Sequence, residues 1–217
     1  MLYALIAISI ILLIVISIVV AVRTSSLPPT TEWREQDLGE EGEREVADIL
    51  GETVPGSQYV INGLLFKTER SSCEIDHIYI NKYGIWVIET KNRGGTIYGD
   101  DSQEEWTQVL GNGNISHTLR NPVKQNDSHI YNLSRFLKAK KAIFHNIVVF
   151  LDRADISNIT AENVCNASEL PYIKTKVTDI LLSIKQMENY YNKLLDLKNN
   201  STISKQEHID NIHDKYC

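Results

Sequence analysis

Two apolar runs separated by four residues constrain this chain more than any other feature. They are residues 73–80, CEIDHIYI, and residues 85–91, IWVIETK, joined by Asn81-Lys82-Tyr83-Gly84. β-Branched and aromatic residues on both sides of a short turn describe an antiparallel hairpin with buried strands. Residues 59–66, YVINGLLF, add a third strand ahead of it, so the centre of the chain reads as a three-stranded meander. Both hairpin strands nevertheless carry charge. Asp76 stands inside one, and the other ends in Glu89-Thr90-Lys91. A carboxylate in a strand interior is costly unless it is paired or bound to a cation. Glu89 and Lys91, two residues apart, share one face. They are either a surface ion pair, which contributes little, or two parts of one site. If the hairpin sets Asp76 beside Glu89, crowded negative charge raises one pKa or recruits a divalent cation between them. Two carboxylates, a backbone carbonyl and waters form the oxygen shell that Mg²⁺ takes, completed by substrate phosphate. Lys91 would orient or deprotonate a water there, its pKa lowered by partial desolvation.

The flanking segments supply an α/β frame. Gly39-Glu40-Glu41-Gly42-Glu43 opens a helix whose acidic first turn suits the dipole. Val46, Ile49 and Leu50 form its apolar stripe, and Gly51 stops it. After the meander, Asn92-Arg93-Gly94-Gly95 makes a turn rather than a phosphate cradle, because no helix start follows it closely. Residues 96–98 and 104–109 read as short strands, and residues 111–121 as a loop. Asn121 then caps a helix that begins at Pro122 and sets Ile130, Leu133, Phe136 and Leu137 on one side. Residues 145–151, HNIVVFL, are a further buried strand, and residues 177–197 a helix. The last twenty residues are a polar tail or a short terminal helix. The order helix, meander, helix, strand is α/β.

Residues 2–22, LYALIAISIILLIVISIVVAV, contain no charge, Gly or Pro. As a helix they span about 31 Å, the thickness of a bilayer's hydrocarbon core. No Lys or Arg precedes the run, and Ala21-Val22-Arg23 is a poor cleavage site, so an uncleaved transmembrane anchor is expected over a signal peptide. Arg23 and Arg34 on the C-terminal flank place the rest of the chain in the cytoplasm, as a single-pass membrane protein. The expected organisation is an anchor over 2–22, a Pro-containing linker over 23–36, a folded domain over 37–152, and a helical extension with a polar tail over 153–217. Cys73, Cys165 and Cys217 are odd in number and widely spaced, which excludes a disulfide framework and a Cys-based zinc site. A net charge of −6 excludes the footprint of a strong, non-specific nucleic-acid binder, leaving transient engagement through a local basic patch.

The residues resemble a known family. Asp76, then Glu89-x-Lys91 across a hairpin, resembles the PD-(D/E)XK nuclease signature. The fuller set is similar to its NERD branch, the nuclease-related domain. Its pieces are Gly39-x-x-Gly42-Glu43, Ile75-Asp76-His77, the strand over 84–92 with its following Gly pair, Trp106-x-Gln108, and Asn121-Pro122-x-x-Gln125-Asn126. The resemblance implies a restriction-endonuclease-like core and hydrolysis of phosphodiester bonds, with Mg²⁺ or Mn²⁺ as cofactor. It implies that Asp76 and Glu89 ligate the metal with the Thr90 carbonyl, and that Lys91 activates water or stabilises phosphate charge. Glu43 would be an added acidic site residue, and Gln125 would support the site or touch substrate. Nucleic acid is the implied partner, DNA ahead of RNA, with homodimers where two strands must be cut. The alternative is a non-catalytic binding module on the same fold.

Other candidates read blandly. His77 faces away from Asp76 and reads as a packing or hydrogen-bonding residue, while His117, His129 and His145 lack ligand spacing. Trp106 reads as core. Arg135, Lys138, Lys140 and Lys141 read as a solvated helix end, with a phosphate-tracking patch as the alternative.

Overall fold

The computed structural model describes residues 30–68, 71–173, 175–205 and 207–208. The chain divides into two compact units, Met1–Leu38 and Gly39–Cys217. The apolar run over 2–22 lies outside the described residues, and among those described no helix is long and apolar enough to cross a membrane.

Helix α1 spans Thr30–Leu50 and so begins earlier than the Gly39 start expected from sequence. The end of the expected 23–36 linker is therefore helical. The two glycines at 39 and 42 are tolerated inside the helix rather than opening it.

The meander forms as expected: β1 (Gln58–Lys67), β2 (Ser72–Asn81) and β3 (Gly84–Lys91) pair antiparallel in sequence order. Strand β7 (Phe144–Phe150) lies parallel to β3, and β9 (Val164–Asn166) parallel to β7, giving the order β1-β2-β3-β7-β9. Val46 and Leu50 of α1 pack on one face of this sheet against Tyr79, Trp86, Ile88 and Val149. The other face is covered by α2 (Pro122–Leu137) and α4 (Ile184–Asn200), whose Ile130, Leu133, Met187 and Leu194 meet Ile78, Ile80, Ile85 and Val87. A parallel strand buried on both faces accounts for the unbroken apolar run of β7.

A second sheet has the order β6-β5-β4-β8, built from β4 (Gly95–Gly99), β5 (Glu105–Leu110), β6 (Ile115–Arg120) and β8 (Ala154–Ile159). The expected loop over 111–121 is thus mostly β6. Its burial pattern is almost wholly exposed, so no apolar alternation marked it. Strands β8 and β9 and the short helix α3 (Leu170–Ile173) also replace the purely helical extension expected after residue 152. Trp106 is core, stacked 6.4 Å from Phe150.

Two helix readings shift. Helix α4 starts at Ile184 rather than Val177, because Ser183 and Gln186 form a capping box there. Phe136, expected on the buried side of α2, is 41% exposed, while Ile130, Leu133 and Leu137 are buried.

One irregularity positions the site. In β1 the residues facing α2 and α4 are odd-numbered up to Ile61 and even-numbered from Leu64; in β2 they are odd through Ile75 and even from Ile78. Both strands change face together, at Gly63 and Asp76. Gly63 has φ +62°, a conformation that glycine adopts without steric cost. A strand residue at such a kink is freed from the regular alternation, and here it is Asp76.

Candidate active site

Strands β2 and β3 pair from Asn81↔Gly84 to His77↔Ile88 and then part, while β3 continues along β7 to Lys91↔Phe150. The last residues of β3 therefore have one unpaired edge. Asp76 fills the gap, its Oδ2 accepting a hydrogen bond from the Thr90 N–H at 2.7 Å. The Lys91 carbonyl accepts from Leu151 N at 3.2 Å, so it points toward β7. Alternation along an extended strand turns the Thr90 carbonyl the other way, to the edge where Asp76 sits. Asp76 and the Thr90 carbonyl thus share one strand edge, with Glu89 the residue before Thr90 on β3.

Glu89 is buried, and both its oxygens are engaged. Oε1 accepts from Lys91 Nζ at 2.6 Å and from Gln125 Nε2 at 2.8 Å. Oε2 lies 3.4 Å from His129 Nε2. Lys91 Nζ also donates to Gln125 Oε1 at 3.3 Å. Gln125 therefore bridges the acid and the ammonium from α2.

Helix α2 is pinned for this purpose. Asn121 caps it, its Oδ1 accepting from Val123 N at 2.9 Å, while its Nδ2 donates to the Gln103 carbonyl at 2.7 Å. One turn on, buried Asn126 donates to the Val87 carbonyl at 2.8 Å and the Ile147 carbonyl at 3.2 Å, tying α2 to β3 and β7. Gln108 donates to the Gly94 carbonyl at 2.8 Å and so fixes the turn that follows β3. On the opposite face Gly42 lets α1 approach closely: a Cβ there would lie 2.8 Å from Asn92 Cβ. That approach brings the partly buried Glu43 within electrostatic reach of Glu89 and Asp76.

Burial and charge drive the two central carboxyls apart. Burial and the neighbouring Glu89 raise Asp76 well above the usual carboxylate range, against Lys91 and the Thr90 N–H. Burial would raise Glu89 too, but Lys91 and His129 overcome it and hold it down at about 2. Of the two, Asp76 is the carboxyl whose protonated form is favoured, because it lacks the cationic contacts that hold Glu89 down. Burial would lower Lys91, yet Glu89 and Asp76 outweigh it and raise its pKa. The lowered lysine pKa expected from desolvation is thereby reversed, and Lys91 is an ammonium donor rather than a base. Burial raises Glu43, with Glu74, Glu40 and Glu89 adding to it against Lys205.

His129 is the residue that the sequence reading passed over. Its Nδ1 lies 3.2 Å from Cys73 Sγ and its Nε2 reaches Glu89, which, with Cys73, raises its pKa against the effect of burial. The available signal was its position four residues after Gln125, on the same helix face. His77 is buried, and its Nδ1 lies 2.9 Å from Asn62 Oδ1. His145 is spent on packing, stacked 4.2 Å from Trp86.

The nuclease-related domain family matches residues 38–151, just over half of the chain. A Bacillus anthracis protein described only as uncharacterized is 24% identical over 210 residues, covering 94% of this chain and 96% of its own length. No solved structure matches the chain.

Proposed function

The chain belongs to the nuclease-related domain family, and from that premise we propose that it is a metal-dependent nuclease, hydrolysing phosphodiester bonds of nucleic acid, DNA ahead of RNA, with Mg²⁺ or Mn²⁺. One observation carries this reading: Asp76 takes up the open edge of β3 beside Thr90, next to the Glu89 carboxylate and its Lys91 ammonium. Among the described residues no three His, Cys, Asp or Glu side chains converge to hold a metal. A site with two carboxylates and a backbone carbonyl suits a hard cation that keeps several waters, rather than a tightly caged one. Asp76, Glu89 and the Thr90 carbonyl would hold it. When bound, the cation lowers the pKa of a water and offsets charge on the scissile phosphate.

The protein's own groups do the rest. Lys91 donates to phosphate oxygen as negative charge develops, since its neighbours keep it protonated. Gln125 holds Glu89 and Lys91 in register. Glu43, whose pKa burial raises, adds an acidic group within electrostatic reach of Glu89 and Asp76. The apolar run over 2–22 tethers the domain to a membrane with its bulk in the cytoplasm, and two copies pair when both strands of a duplex are cut.

A second reading rests on Glu89, whose oxygens are already engaged by Lys91, Gln125 and His129. On that reading the same fold docks nucleic acid without cleaving it. The deciding experiment incubates purified protein with labelled single- and double-stranded DNA and RNA, with and without Mn²⁺, beside Glu89→Ala and Asp76→Asn. Cleavage that needs both the metal and the two carboxyls establishes the nuclease. Equal cleavage by wild type and variants exposes a contaminant and sinks the proposal.

A further inference from the structure

A cavity of about 420 Å³ opens between the end of β1 and the outer face of α2, lined by Phe66, Lys67, Thr68, Tyr131, Arg135 and Phe136 among others. Its rim carries two of the chain's exposed large aromatics, Tyr131 at 56% and Phe136 at 41%. Phe136 lies 6.4 Å from Phe66 in a tilted pair, and Arg135 sits over the Tyr131 ring at 5.8 Å, its Nη1 donating to Tyr131 Oη at 3.1 Å. Lys67 stands opposite on β1, paired at 3.0 Å with Glu207. Both partners are about half exposed, and such pairs exchange readily for another anion.

The cavity continues the active site. Gln125 and His129 face Glu89, and Asn132 and Phe136 follow on the same row of α2. From His129 to Phe136 the helix rises about 10 Å. Phe66 in the wall pairs with Cys73, whose sulfur meets His129.

We infer that this cavity docks one strand of nucleic acid, a base stacking on Phe136 and Tyr131 while Lys67 and Arg135 hold its phosphate. Aromatic faces interleaved with cations suit single strands, because every base has a π-face and every nucleotide a charge. In an acidic chain these cations form a local basic element beside the catalytic edge, where a strand leaving the site would run. Glu207 pairs with Lys67 where the phosphate would, and so competes with it. The assignment rests on the nucleic-acid reading above, but it does not require cleavage.

The test is fluorescence anisotropy of full-length protein with a labelled oligothymidylate and with a duplex of equal length, in EDTA so that nothing is cut. Wild type is expected to bind the single strand more tightly than the duplex. Phe136→Leu and Tyr131→Leu keep apolar bulk but lose the stacking face, and each should weaken single-strand binding about tenfold. Glu207→Gln should tighten it, and Lys67→Ala should flatten its salt dependence. Unchanged affinity in both aromatic variants overturns the assignment, as does equal affinity of wild type for single strand and duplex. If those variants alter only self-association in sedimentation, a second copy occupies the face and the assignment fails. Failure of the nuclease reading would look different: no cleavage with metal, and binding still sensitive to Phe136→Leu.

Discussion

Asp76→Asn separates the stability of the site from its function. Burial and the neighbouring Glu89 raise the Asp76 pKa well above the usual carboxylate range. Asparagine has the shape of a protonated aspartate, and its carbonyl can still accept the Thr90 N–H. The substitution should therefore cost little in packing. It should also remove the penalty of ionising a second carboxyl beside Glu89. A carboxyl whose folded pKa is raised binds more protons folded than unfolded between the two pKa values, so wild-type stability falls as pH rises through that window. The advantage of the variant should open above about pH 4. It should grow by no more than about 1.4 kcal/mol per pH unit and level off once the folded group ionises. The assay is urea unfolding in EDTA from pH 4 to 8. Added Mn²⁺ should then stabilise wild type, by about 2.7 kcal/mol at a hundredfold excess over its dissociation constant, and leave the variant unmoved. A variant less stable than wild type by an equal amount at every pH would refute the raised Asp76 pKa. Equal stabilisation of both proteins by Mn²⁺ would refute the metal site.

Further outcomes follow from the same geometry. Glu89 is held at about 2, below its ordinary 4.5, so its stabilisation is present above pH 4.5 and lost as pH falls toward 2; acid titration of unfolding should show it. Glu89→Gln should cost about 3 kcal/mol or more at pH 7, because Lys91 and His129 stay buried without their counter-charge; an unchanged urea midpoint would refute that. Gly42→Ala should lower stability by about 1–3 kcal/mol through the 2.8 Å approach to Asn92. Gly39→Ala, with nothing within 4 Å, should raise it by up to about 1 kcal/mol; thermal melts of the pair give both signs. Asn126→Ala should destabilise by about 2 kcal/mol or more, since the Val87 and Ile147 carbonyls lose their shared donor. Hydrogen exchange at the adjoining strand ends should report the loosening.

What the sequence determined by itself was local. The meander was legible because its turn is short and its strands are rich in β-branched and aromatic residues. The start of α2 was legible because Asn121 and Pro122 act within one turn of the chain. Glu89 and Lys91 shared a face by strand periodicity alone. The segments misread were those whose order is imposed from outside: β6 is exposed and owes its strand form to β5, and α1 extends ahead of the glycines that looked like its start. The tertiary structure decided what those residues become as a site. The kink at Gly63 and Asp76, and the parting of β2 from β3 after Ile88, open the edge that Asp76 fills. Helix α2 brings His129 and Gln125 to Glu89 across 40 and 36 residues of sequence. The direction of the Lys91 shift was decided there as well, because a pKa depends on which charges surround a group, and that is a property of three-dimensional neighbours rather than of spacing along the chain.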